Sequence, residues 1–152
     1  RYSYPGRSQF ILNRHGLKRT FRNICMIAGG TGIAPMLQII TTVLSDPMDT
    51  TNIFLLFTNK SRRDILFKER LDDLRKQHIR QFKLHYVIDD LDGKGDWKYS
   101  SGFINEEIIR SHLAQAGDDT VVLLCGPRPM IEFSCRPNLT RAGHSDKNVI
   151  EL

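Results

Sequence analysis

The chain has 152 residues, 40% of them apolar, with 22 Lys and Arg against 17 Asp and Glu, a formal charge of +5. That is about one domain's worth of chain with enough apolar content for a single core, and no run approaches the ~18 continuous apolar residues of a membrane-spanning helix. The basic residues are interleaved with acids and form no basic–aromatic stripe. This excludes nucleic acid as the expected partner and leaves a solvated surface compatible with an acidic protein. The opening Arg1-Tyr2-Ser3-Tyr4-Pro5-Gly6 is polar and turn-like, unlike a secretory signal. With no initiator Met, the chain reads as a fragment or an excised domain. Three cysteines, Cys25, Cys125 and Cys135, are odd in number and lack metal-ligand spacing, so free thiols in a reducing compartment are expected.

In chain order, residues 1–20 read as a polar lead-in with one short apolar run, Phe10-Ile11-Leu12. Strand-like and helix-like segments then alternate. The first strand, 23–28, contains Ile24-Cys25-Met26-Ile27, and a helix over 35–45 repeats Met36, Leu37, Ile39, Ile40, Val43 and Leu44 at helical spacing. A second strand, 52–58, precedes a helix over 62–78. There Phe67, Leu71 and Leu74 make one stripe, and Asp64 with Lys68 and Lys68 with Asp72 stand at ion-pair spacing. The third strand is 82–88; a polar, Gly-containing loop over 89–102 leads to a helix over 104–115, with Asn105 as its cap and Glu106 and Glu107 in its first turn. The fourth strand is 120–125, and the helix over 129–142 contains Pro137, which predicts a kink or restart. A last strand covers 147–151. Runs such as Val121-Val122-Leu123-Leu124 suit strands covered on both faces.

Five strands alternating with four helices predict an α/β fold: a doubly wound, open, parallel five-stranded sheet with helices on both faces. Right-handed crossovers make 3-2-1-4-5 the expected strand order. In that order strands 1 and 4 meet at the switch point, where ligands bind beyond the carboxyl ends of the strands.

Two unusual loops fall at that point. After strand 1 comes Gly29-Gly30-Thr31-Gly32, whose glycines permit a tight turn and close approach of the backbone to a ligand. The helix behind it offers free N–H groups and a positive dipole end to an anion, and Pro35 suits its first turn. The segment has neither the Lys-Ser/Thr ending of a P-loop nor G-x-G-x-x-G spacing, so on its own it fits a phosphate turn or a plain strand–helix turn equally. After strand 4 comes Cys125-Gly126-Pro127-Arg128-Pro129-Met130. A thiol there touches a flat apolar ligand or merely fills space. No His–carboxylate arrangement stands beside it to make it a nucleophile. His15, His78, His85, His112 and His144 are scattered and read as surface or packing residues.

MIAGGTGIAPMLQII (26–40) together with CGPRPMI (125–131) resembles the nicotinamide-binding domain of the NADH–cytochrome b5 reductase family, within the wider ferredoxin–NADP reductase group of flavoproteins. The likeness extends to Asn59, to Asp64-Ile65-Leu66, to Phe82-Lys83-Leu84 with Tyr86, and to the residues from Trp97 through Phe103. Arg136-Pro137-Asn138-Leu139 and Gly143-His144 continue it.

The resemblance implies hydride transfer from NADH to FAD and single-electron delivery to a haem protein such as cytochrome b5. It implies that Gly29, Gly30, Thr31 and Gly32 hold the dinucleotide near its ribose and pyrophosphate, with the Thr31 hydroxyl placing the nicotinamide against the flavin. Cys125 is implied beside the reacting carbon as a packing and electrostatic neighbour, with Gly126, Pro127 and Met130 completing that wall. Asp89 matches the acid that accepts from the adenosine ribose and repels a 2′-phosphate, its alternative being a plain loop aspartate; Phe103 packs near the adenine or in the core.

The chain departs from the family pattern at several positions. Ala34 replaces a threonine able to bond the flavin. Arg128 interrupts a proline-rich run and adds a charge that meets either pyrophosphate or solvent. Lys60, Arg62 and Arg63 make their loop more basic than usual, and the end Val149-Ile150-Glu151-Leu152 lacks an aromatic residue. The family's FAD-binding β-barrel has an Arg-x-Tyr-Ser/Thr motif that Arg1-Tyr2-Ser3-Tyr4 does not match in spacing. Residues 1–20 are accordingly read as the end of an absent FAD domain or a linker, and 21–152 as the NAD(H)-binding domain. The resemblance places the whole protein on the cytoplasmic side, on endoplasmic reticulum or mitochondrial outer membrane, through a segment outside this chain. A nucleotide-binding or regulatory module without redox turnover, and a reductase serving another acceptor, are the alternative readings.

Overall fold

A computed structural model describes residues 2–6, 9–12, 17–91 and 95–152, the backbone alone for 2–6, 9–12, 17 and 18. Arg1 and His15 lie outside the described residues. The lead-in is not a single apolar run: β1 (Tyr2–Gly6), β2 (Gln9–Leu12) and β3 (Leu17–Thr20) form an antiparallel sheet of their own. Strands of four or five residues are too short to show a period above the polar background, and Pro5 and Gly6 disguise the first as a turn. At the end of β3, Arg19 donates to the Lys147 carbonyl at 3.1 Å and to Asn148 Oδ1 at 2.7 Å, tying the lead-in to the C-terminal segment.

The main sheet contains β4 (Asn23–Gly29), β5 (Asn52–Asn59), β6 (Phe82–Ile88), β7 (Ser100–Ser101), β8 (Thr120–Cys125) and β9 (Val149–Glu151). All pairings are parallel, and the order is β7-β6-β5-β4-β8-β9. The five-stranded expectation is therefore corrected to six. The added edge strand β7 lies in the segment expected to be loop, and two serines carry no hydrophobic signal. It forms because an aromatic group fixes the loop to the sheet. Tyr86, Trp97 and Tyr99 meet with ring centroids 5.1–6.5 Å apart, Trp97 donates to the Ser100 carbonyl at 2.8 Å, and the Arg62 guanidinium lies 5.1 Å from the Trp97 ring. The Tyr86 hydroxyl donates to Asp72 at 2.8 Å, and burial raises its pKa, so it stays protonated.

Strand β4 is buried along nearly its whole length because helices cover both faces. The two-residue strand period sorts its side chains. Ile24, Met26 and Ala28 join the core beneath α1 (Ile33–Ser45) and α2 (Lys68–Gln77). Cys25 and Ile27 join the opposite core, with Ile108, Ile109, Ile131 and Leu139 from α3 (Glu106–His112) and the last helical segment. Asn105 caps α3 as expected, its side chain accepting from the Ile108 N–H at 2.9 Å.

Two helices differ from expectation. The second begins late: Arg62–Asp64 is a 3-10 turn, and Phe67 has left-handed φ 56° at the N-cap of α2, half exposed instead of on the core stripe. Lys68 pairs with Asp72 at 2.8 Å, whereas Asp64 accepts from the Ser61 hydroxyl. The fourth is a π-helix over Met130–Cys135 running into α4 (Arg136–Arg141). Pro137 sits in the first turn of α4, where a missing N–H is tolerated, so of the kink or restart expected at this proline the restart is present, preceded by a wide π turn.

The histidines are not all isolated. The rings of His85 and His112 stack at 3.4 Å, and His85 Nε2 lies 2.7 Å from the Ser100 hydroxyl. Burial and the neighbouring His112 push His85 down to about 4, and burial lowers His112. A lowered folded pKa means that the unfolded chain binds more protons, so this stabilisation is full above pH 6.5 and is lost as pH falls towards 4. The melting temperature should therefore fall less steeply over that window in His85→Phe than in the parent. Equal slopes in acid melts would show that the stack carries no such linkage.

Candidate functional site

The order around β4 creates the site. From β4 the chain crosses to β5 and β6 on one side, and β8 lies on the other, so the switch point falls between the carboxyl ends of β4 and β8. At that point β4 ends at Gly29, a 3-10 turn runs over Gly30–Gly32, and α1 starts at Ile33. Neither helical start has a side-chain cap or an acidic residue in its first turn. The Ile33 N–H already donates to the carbonyls of Gly30 and Thr31 and Pro35 has none, so the N–H groups an anion can reach are those that open the 3-10 turn ahead of the 13-residue helix.

The two loops pack backbone against backbone. A Cβ on Gly32 would strike the carbonyl oxygen of Cys125 and lie 2.6 Å from its carbonyl carbon. A Cβ on Gly29 would lie 2.6 Å from Met130 Sδ and 3.0 Å from Pro127 Cδ, and one on Gly126 would lie 2.6 Å from Met130 Cε. Gly30 is different: its φ is +53° and nothing stands within 4 Å of a Cβ position. Its glycine answers to backbone conformation and opens a space above the turn. Thr31 and Ala34 are exposed beside that space.

Cys125 is half-buried, and burial together with the Glu151 carboxylate raises its pKa. The group at this wall is therefore a neutral thiol at neutral pH. Arg128 is largely exposed to solvent, and its guanidinium also pairs with Glu132 and Glu151, each at 2.9 Å.

Asp89 and Phe103 stand apart from this pair of loops. They follow β6 and β7, two and three strand spacings from β4, about 10 and 14 Å across the sheet. The Asp89 N–H donates to the Asn59 carbonyl at 3.0 Å, and the Gly102 N–H donates to the Ile88 carbonyl at 2.8 Å, which brings both residues to the end of β6. Partial burial raises the Asp89 pKa and Lys60 opposes the shift. Phe103 is 73% exposed, which excludes the core-packing alternative for its ring. Asn59 joins them from the end of β5: it is 8% exposed, and its amide nitrogen has no hydrogen-bond partner among the described residues. A buried donor left over at the mouth of a crevice is a group a ligand can satisfy. Its sequence signals were its place at the end of an apolar strand and its part in the family likeness, neither of which gives it a role.

These contacts set a stability test. Gly32→Ala should cost ~3 kcal/mol or prevent folding, because the obstacle is backbone that cannot swing away. Gly117→Ala, with nothing within 4 Å of its Cβ position, should melt close to the parent. Similar melting temperatures for both variants would refute the backbone contact.

The comparisons agree with this geometry. A family model described as "Oxidoreductase NAD-binding domain" matches residues 26–136. NADH-cytochrome b5 reductase 3 of Rattus norvegicus is 48% identical over 145 residues, covering 93% of this chain and 48% of that protein. An NADH nitrate reductase of Lotus japonicus is 42% identical over 145 residues, 95% of this chain and 16% of that protein. The crystal structure of the cytochrome b5 reductase domain of Ulva prolifera nitrate reductase superposes with a TM-score of 0.93 at 38% identity, covering 99% of this chain and 55% of that one. The chain spans about half the length of the cytochrome b5 reductases it matches. With the matched region running from β4 into α4 through both loops of the crevice, the chain belongs to the oxidoreductase NAD-binding domain family.

Proposed function

We propose that this chain is the NADH-binding half of an FAD-dependent reductase that passes electrons to a haem protein such as cytochrome b5. The observation that carries the reading is the meeting of the glycine turn and the Cys125 loop at the switch point, beneath an uncapped helix start. When both cofactors are bound, hydride moves from the nicotinamide to the flavin; the protein's part is placement and electrostatics. The backbone of Gly29, Gly30 and Gly32 receives the pyrophosphate and adjoining ribose. The Thr31 hydroxyl orients the nicotinamide, and Cys125, Gly126, Pro127 and Met130 form the wall against which it lies. Ala34 presents a methyl group to the flavin side, with no hydroxyl to bond it. At the far end Asp89 accepts from the adenosine ribose hydroxyls, Phe103 covers the adenine, and Asn59 supplies a donor.

Residues 1–20 are read as the end of an FAD domain or a linker to one, and the separate antiparallel sheet β1-β2-β3 supports the first of these. Among the described residues no helix is long and apolar enough to cross a membrane. Attachment to endoplasmic reticulum or mitochondrial outer membrane, on the cytoplasmic side, would therefore come through another segment. Similarity to nitrate reductases favours one second reading, in which the same module serves a different haem-containing acceptor.

Two measurements test the main reading. The protein should bind NADH at least about tenfold more tightly than NADPH, because a carboxylate facing a 2′-phosphate costs more than about 1.4 kcal/mol. Asp89→Thr should narrow the gap; equal affinity in the unaltered protein removes the Asp89 assignment. Joined to its flavin domain, the chain should support NADH-driven ferricyanide reduction. Cys125→Ser should slow that turnover roughly tenfold, ~1.4 kcal/mol in barrier, without abolishing it. Complete loss would point to an obligatory thiol.

A further inference from the structure

The C-terminal strand is bound to the Cys125 loop by more than sheet pairing. Glu151 of β9 is in register with Leu124, and the Leu152 N–H donates to the Leu124 carbonyl at 2.8 Å. Glu151 then uses both carboxylate oxygens: Oε1 accepts from Arg128 and Oε2 from Arg136, each at 2.9 Å. Arg128 also donates to Glu132 at 2.9 Å. Two arginines and two glutamates balance one another, so the charge on Arg128 is already matched before any ligand arrives. Exposed ion pairs add little stability. The position of this network, at the edge of the loop that lines the crevice, is its distinguishing property.

We propose that Arg128 and Glu151 are a positioning pair that clamps the C-terminal strand to the Cys125 loop and sets the charge that the Cys125 thiol faces. The functional meaning of that loop rests on the NADH-binding reading above. The charged groups of this network come from three elements, Glu151 from β9, Arg128 from the loop itself, and Glu132 and Arg136 from the helical segment behind it, and of these Glu151 acts on the thiol. The glycine turn on the other side carries no charged side chain between Gly29 and Ala34. Burial raises the thiol's pKa and the Glu151 carboxylate adds to the shift, while Arg128 pairs with that carboxylate. Removing one partner or the other should therefore move thiol reactivity in opposite directions, which a simple mechanical brace would not do.

Iodoacetamide alkylation of the full chain reads this directly, because Cys25 and Cys135 are fully buried and Cys125 is the accessible thiol. At pH 8 and low salt, Glu151→Gln should alkylate about threefold faster, because a larger fraction of the thiol is then ionised. Arg128→Ala should alkylate about twofold more slowly, and Arg128→Lys should return towards the parent rate. Both shifts should shrink in 1 M salt, where the Debye length falls to about 3 Å. Acceleration in both variants, or no change in either, overturns the positioning pair. Saturating NADH, added to the unaltered protein, should slow alkylation. No protection, with the opposite shifts intact, overturns the cofactor reading and leaves the pair standing.

Discussion

The structure depends on a contact with no side chain in it. Gly32 rests against the carbonyl group of Cys125, and Gly126 against Gly29, so two loops nearly a hundred residues apart in the chain share one backbone surface. Their approach is closer than any Cβ allows, and this fixes how far β4 and β8 can part at their carboxyl ends. The mouth of the crevice inherits its width from that distance. Met130 then caps both Gly29 and Gly126, filling the volume their missing side chains leave.

Electrostatics sort the crevice along its length. At the β4–β8 end the wall is uncharged: glycines, a thioether, a proline and a thiol that burial and Glu151 keep protonated. At the β6 end a carboxylate, Asp89, stands near Lys60 with an unsatisfied buried amide close by. A ligand complementary to both ends has a flat uncharged group at one end and a hydroxyl-rich group at the other, joined by an anion over the helix start. That is the shape and polarity of a dinucleotide, and the two ends are spaced by the sheet itself.

The parts of this arrangement legible in the sequence were those with strong periodicity or rare residues. The parallel strands from Ile24, Ile53 and Val121 are apolar on both faces, and α1 has an unbroken helical stripe, so their types follow from composition alone. The pairing of the two loops followed from topology, since right-handed crossovers bring Gly29 and Cys125 to one place. Ser100 and Ser101 gave no signal because the aromatic cluster that orders them is a tertiary contact. Phe67 misled for the opposite reason: its spacing matched the stripe, yet a left-handed turn sets it outside the helix. Arg128 could not be assigned because its partners, Glu132 and Glu151, come from a helical turn and a distant strand end. Asn59 was invisible as a site residue because being unsatisfied is a property of surroundings, not of spacing.

The main sheet ends in very short strands on both sides, β7 with two residues and β9 with three. A long exposed edge would offer a row of unpaired backbone groups to any passing strand, including one from another copy of the same protein. Here such a strand finds two or three residues to pair with, too few for a stable ladder, and Arg136 and Arg128 engage the side chain of Glu151 at the end of β9. The sheet is closed to growth by brevity. Its backbone is therefore protected from self-assembly at the same place where the C-terminal strand borders the crevice.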